Sequence, residues 1–209
     1  MSSVTELHKA LAEIHSIRGQ LARSAEFRGY GPATLAATGV LAFVAATLQA
    51  HWLKEPGREV SAYLAIWVVT AAVSLALIII ETLFRARRVH SSLATEMVLS
   101  ALEQFLPAIV AGLLLTVVLF QCARESLWML PGLWQVLFSL GVFSSCRLLP
   151  RQLFAVGMWY LATGLACLSL GAGERAFAPW MMGVPFGIGQ LLVALVLQFG
   201  YAQASHEEA

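Results

Sequence analysis

Six uninterrupted apolar stretches constrain this chain more than any other feature: Pro32–Leu53, Val60–Phe84, Phe105–Cys122, Leu127–Cys146, Leu153–Ala172 and Pro179–Tyr201. A helix rises about 1.5 Å per residue, so about 20 residues cross a hydrocarbon core about 30 Å thick. Each stretch is long enough to do so. A soluble core of this size has no room for so many. The alternating ten-residue segments of a membrane β-barrel are absent. The breaks between stretches are polar or rich in Pro and Gly, as at Lys54-Glu55-Pro56-Gly57-Arg58, Arg85-Ala86-Arg87-Arg88 and Arg124-Glu125-Ser126. The stretches from Arg147 to Arg151 and from Gly171 to Arg175 complete the set.

Composition narrows the class further. The 209 residues are 59% apolar and 12% charged, against about a quarter charged in soluble domains. Thirteen Lys and Arg face twelve acids, all of them Glu, for a net charge of +1. No basic excess marks a nucleic-acid partner. Hydrophobicity this high excludes a disordered chain, and three Cys in 209 residues exclude a disulfide scaffold. The expected fold is all-α: a polytopic membrane protein with six transmembrane helices plus two cytoplasmic amphipathic helices. It divides into an amphipathic helix within 1–29, a six-helix membrane domain over 30–203 that includes a cytoplasmic helix at 86–104, and a polar tail, 204–209.

Charge sets the orientation. Nine Lys and Arg (Lys9, Arg18, Arg23, Arg28, Arg85, Arg87, Arg88, Arg147 and Arg151) fall on one side, and four (Lys54, Arg58, Arg124 and Arg175) on the other. The positive-inside rule then puts both termini in the cytoplasm. Trp52, Trp128 and Trp180 belong at the outer ends, Tyr30 and Tyr201 at the inner ends. Residues 1–29 have no continuous apolar run, so no cleavable signal peptide is expected. Short loops suit the inner bacterial membrane.

Residues 4–28 carry an apolar stripe of Val4, Leu7, Leu11, Ile14, Leu21 and Ala25 interrupted by Arg18. Such a helix lies on the inner leaflet or forms a seam for a partner or a second copy. Residues 86–104 form a similar segment that runs into the third span. An offset of 75 residues pairs His15-Ser16 with His90-Ser91 and Pro32-Ala33 with Pro107-Ala108. That hints at a duplicated unit of one amphipathic helix and one hairpin.

Polar groups inside the spans are the candidates for function. Glu81 is the only acid within a span, one turn from its inner end, with Arg85 four residues on. An i,i+4 pair at the membrane surface accounts for it. With Arg88, Glu103, Arg147 and Arg151 it would form an inner-face charge cluster, either a gate or ordinary anchoring. Gln135 and Gln190 lie at mid-depth, where an amide either bonds between helices or contacts a solute. The segment Gly183-Val184-Pro185-Phe186-Gly187-Ile188-Gly189-Gln190 is the most distinctive in the chain. Gly183 and Gly187 permit close helix approach. Pro185 frees a carbonyl one turn back, which serves either a tight bundle or a site at a bent helix beside Gly189 and Gln190.

Metal and catalytic chemistry find little here. His8 and His15 are seven residues apart, about 10 Å along a helix and too far to share an ion. Cys122 and Cys146 belong at opposite membrane faces and cannot pair. There is no Asp, HExxH, GxSxG, P-loop or CxxC, and no cofactor or metal is expected.

The Leu130-Pro131-Gly132-Leu133-Trp134 stretch, Pro179-Trp180-Met181-Met182-Gly183 and Phe186-Gly187-Ile188-Gly189-Gln190 resemble the LPGLW and PWxMGxxFGxGQ signatures of a group of small bacterial integral membrane proteins. The resemblance covers the C-terminal half and the His-Ser-Ile-Arg segment near residue 15. It implies six spans and no particular activity. Three functions stay open at this point. The chain is a non-catalytic scaffold, sensor or accessory subunit whose cytoplasmic helices meet a partner or the leaflet. It is instead a carrier, channel or binding subunit for a small uncharged solute near Gln135 and Gln190. The third and least favoured is a lipid-modifying enzyme. The expected partners are the lipid bilayer and either another protein or a second copy.

Overall fold

The computed structural model describes residues 31–89, 92–146, 152–171 and 173–207. Six helices follow in order: α1 (Pro32–Trp52), α2 (Val60–Val89), α3 (Ser92–Cys122), α4 (Leu130–Ser145), α5 (Leu153–Leu170) and α6 (Pro179–Glu207). Short 3-10 turns at Arg124–Met129 and Gly173–Phe177 lead into α4 and α6. The described residues contain no strand. All six helices are long and apolar enough to cross a bilayer, with α4 counted together with the turn before it. This is the architecture of a multi-pass membrane protein.

Helix boundaries follow local chemistry. Proline opens α1 and sits in the first turn of α4, where its missing N–H would have had no helical partner anyway. Gly171 closes α5, and Gly173 takes a φ of 71° that side-chain-bearing residues rarely adopt. The expected segment 86–104 is divided: residues 86–89 end α2, and 92–104 are continuous with the third span. Residues 1–30, which hold the expected helix 4–28, lie outside the described set. Helix α6 continues to Glu207, into the expected polar tail, because no breaker follows Tyr201. The two prolines matched at an offset of 75 occupy unlike places: Pro32 opens α1, whereas Pro107 is inside α3.

Each helix packs against the next in chain order, and α1 closes on α6, so the six form a ring. The α1–α6 and α4–α5 contacts are the most extensive, and α4 also reaches α6 across the ring. Small residues make the tight pairs possible. A Cβ on Gly39 would lie 2.9 Å from the Gly187 carbonyl, and one on Gly132 would lie 2.8 Å from that of Gly164.

Near the end that carries Trp52, the core gathers Tyr63, Leu64 and Trp67 of α2 with Leu127, Leu130, Phe177 and Met182. Toward the opposite end a second cluster joins Leu153, Val156 and Tyr160 of α5 to Phe186 and Val193 of α6. The outer pair of helices behaves differently. Beyond Trp67, no described side chain of α2 is buried, and α3 has none at all. Helix α3 is held mainly along one edge, by α4.

Candidate functional site

Gln135 is fully buried on α4, and both of its amide hydrogens are engaged. Nε2 donates to the Met181 carbonyl at 2.8 Å and to the Pro131 carbonyl at 3.1 Å. The first bond follows from the sequence of α6. Residue 185 is proline, so the Met181 carbonyl one turn earlier has no helical N–H to accept. Gln135 supplies the missing donor from across the ring. The Pro185 carbonyl in turn accepts the indole N–H of Trp159 on α5, at 3.0 Å. The proline turn of α6 is thus bonded to two neighbouring helices.

The glycines beside Pro185 are packing positions. Gly183 is buried against Ala46 of α1, where an added Cβ would lie 2.5 Å from the Ala46 Cβ. Gly187 is buried against the Phe43 ring, and its carbonyl lies over Gly39. This small-residue face is covered by α1 and is not free for a second copy.

Gln190 is only half-buried. It shares an α6 face with Phe186 and Val193, both packed against the Tyr160 cluster. Tyr160 itself was not singled out by the sequence. Its ring occupies the space that a side chain on Gly189 would fill, and its hydroxyl is fully buried. The Gln190 amide is the polar group beside that hydroxyl. Phe138, Tyr160 and Phe186 form a three-ring cluster with centroids 4.6, 5.2 and 5.3 Å apart. The two predicted glutamines therefore differ. Gln135 has its amide hydrogens bonded to backbone, although its Oε1 accepts nothing, and Gln190 lies beside the Tyr160 hydroxyl.

A further polar set lies near the Trp52 end. Gln49 of α1 is fully buried, accepts the Trp67 indole N–H at 2.8 Å, and donates to the Phe177 carbonyl at 2.6 Å. Trp134 donates to the Thr116 hydroxyl at 2.9 Å, joining α4 to α3. Tyr63 packs edge-on to Phe177 with its hydroxyl unbonded. The sequence signal for these bonds was a tryptophan in mid-span, a residue that needs an acceptor for its N–H when buried.

The expected charge cluster is described in part. The Glu81 carboxyl lies against Gly31 at the N-terminus of α1, where unpaired N–H groups and the helix dipole favour an anion. Glu103 is exposed on α3. The side chains of Arg85 and Arg88, and residues Arg147 and Arg151, lie outside the described set. Among the described residues, no three His, Cys or Glu side chains are placed to hold a metal ion. No protein-family model, curated protein or solved structure matches this chain.

Proposed function

We propose that this chain is a non-catalytic integral membrane component, a scaffold, sensor or accessory subunit of the inner (cytoplasmic) membrane with both termini in the cytoplasm. The observation that carries this is α3. Its 20-residue span from Glu103 to Cys122 has 0% of its window buried, yet a bonded edge fixes it in register on α4. A helix so placed presents a rigid apolar face to another membrane helix. The nine-to-four split of basic residues supports the orientation. The amphipathic stripe over 4–28 supports a cytoplasmic contact.

The test is the size of the assembly in gently solubilised native membranes. The full chain should migrate in a complex well above its own 22.6 kDa, and deletion of residues 1–28 should release a folded bundle that migrates alone. A full chain that migrates alone overturns the proposal.

A second reading, a binding or carrier subunit for a small uncharged solute, is favoured by one observation. The Tyr160 hydroxyl and the half-buried Gln190 amide form a polar pair inside the apolar bundle.

A further inference from the structure

We propose that the groove between α1 and α6, at the end of the bundle where α1 begins, is the seat of this chain's own N-terminal segment, residues 4–28, with Leu21 and Ala25 facing into it.

The groove is open and has a volume of about 650 Å³. Pro32, Ala33 and Ala36 of α1 form one wall, and Leu191, Leu195 and Gln198 of α6 form the other. Ala33, Leu195 and Gln198 are exposed. From Leu191 to Gln198 the helix rises about 10 Å, and an amphipathic helix on a membrane surface sinks its apolar face about 5–10 Å. A helix lying across this end of the bundle therefore reaches the groove.

The point where the segment ends selects it as the occupant. Only Gly29, Tyr30 and Gly31 separate Arg28 from Pro32, and Pro32 is itself a groove residue. Two glycines in three residues let the chain reverse. On the α2 side of this junction the Glu81 carboxyl fills the space beside Gly31; the groove lies on the α6 side. Leu21 and Ala25 are the last members of the apolar stripe, four residues apart on one helix face. A tether this short holds them over the groove at about millimolar effective concentration. A second copy or another protein has no such advantage.

Charge distinguishes this seat from bare lipid. Helices held on a leaflet by charge carry a strong excess of Lys and Arg, whereas residues 4–28 hold four Lys and Arg against three Glu. With headgroup attraction so nearly balanced, apolar contact decides where the stripe rests, and this groove is the apolar recess beside its tether. Gln198 at the rim favours the same occupant. An acyl chain gives an amide nothing to bond, whereas Arg23, Glu26 and Arg28 of the segment do.

This deepens the cytoplasmic contact assigned to residues 4–28 and rests on that part of the reading. The test is a photo-cross-link within one chain, kept apart from the size of the assembly. p-Benzoylphenylalanine replaces Leu195 in the full chain, native membranes are irradiated, and the products are sized and mapped by peptide mass spectrometry. The expected product has single-chain mobility and joins position 195 to residues 18–28. The same probe at Gln198 should give the same join, so one ill-folded variant does not decide the outcome. At Phe154, which is exposed on α5 beside the Leu153 that clusters with Val193 of α6, it should not. Leu21→Glu should cut the yield about fivefold or more, because a carboxylate is costly in an apolar recess, and Leu21→Met should keep it. No join from either α6 position, or capture of lipid alone, a second copy or a different protein, overturns the proposal. So does an equal yield from Phe154 or an unchanged yield in Leu21→Glu. A single-chain join in a protein that migrates alone supports the seat while overturning the scaffold reading.

Discussion

The Gln135 amide on α4 donates to the Met181 carbonyl on α6, the carbonyl that Pro185 deprives of its helical donor. A break in one helix and a polar side chain in another thus cancel each other in the interior of the bundle. Replacing Gln135 with Leu should cost about 1–3 kcal/mol, the usual result of stranding a buried acceptor. In a Pro185→Ala background residue 185 regains its N–H, and the same replacement should cost distinctly less. Thermal or denaturant unfolding of the four proteins in detergent measures the coupling. Strict additivity would show that the two residues do not act on the same carbonyl.

Close backbone approach between α1 and α6 makes Gly39 intolerant of substitution. An added Cβ would sit 2.9 Å from the Gly187 carbonyl and 3.2 Å from the Gln190 Cβ. Backbone yields little to such a contact. Gly39→Ala should therefore lower stability by about 1–3 kcal/mol, the range for overpacking, read as a drop in melting temperature.

Gly183→Leu separates internal packing from self-association. Because Ala46 of α1 already covers that position, the variant should lose stability while its native mass stays that of the wild type. A changed mass with an unchanged melting temperature would mean that the face points outward.

The two tryptophan bonds should rank in a fixed order. Trp67→Phe removes the donor from the fully buried Gln49, whereas Trp134→Phe removes one from the half-buried Thr116. Thr116 still donates to the Gly112 carbonyl. Each loss falls in the range of about 0.5–2 kcal/mol, with the Trp67 variant the less stable in thermal unfolding.

At the far end of α1, Glu81→Gln keeps the shape and removes the charge. The carboxyl lies by Gly31 at the helix start, so the loss should be about 0.3–1 kcal/mol. It should shrink as salt is raised, and a salt-independent effect would point to packing instead.

The spans were legible in the sequence because apolar length alone decides them: Val60–Phe84 and Phe105–Cys122 come within two residues of the helical windows. Pro185 was legible for the same kind of reason, since a missing N–H is a covalent fact. What the sequence left open was which donor would answer it, because helix adjacency is a property of packing. It also passed over Tyr160, Gln49 and Trp67. A tyrosine in an apolar run reads as core, and only packing reveals that its hydroxyl meets the Gln190 amide. Glu81 shows the limit of local spacing. Its carboxyl lies against Gly31, fifty residues earlier in the chain, a contact that no i,i+4 pattern announces.

The closure of the ring by α1 and α6 has a consequence for how the protein is made. The ribosome delivers the first span well before its principal neighbour exists, so the groove around Gly39 must wait, covered only by lipid, through the synthesis of the four intervening spans. Membrane quality control has that whole interval in which to recognise an unfinished molecule, and a chain cut short before Pro179 would never leave it.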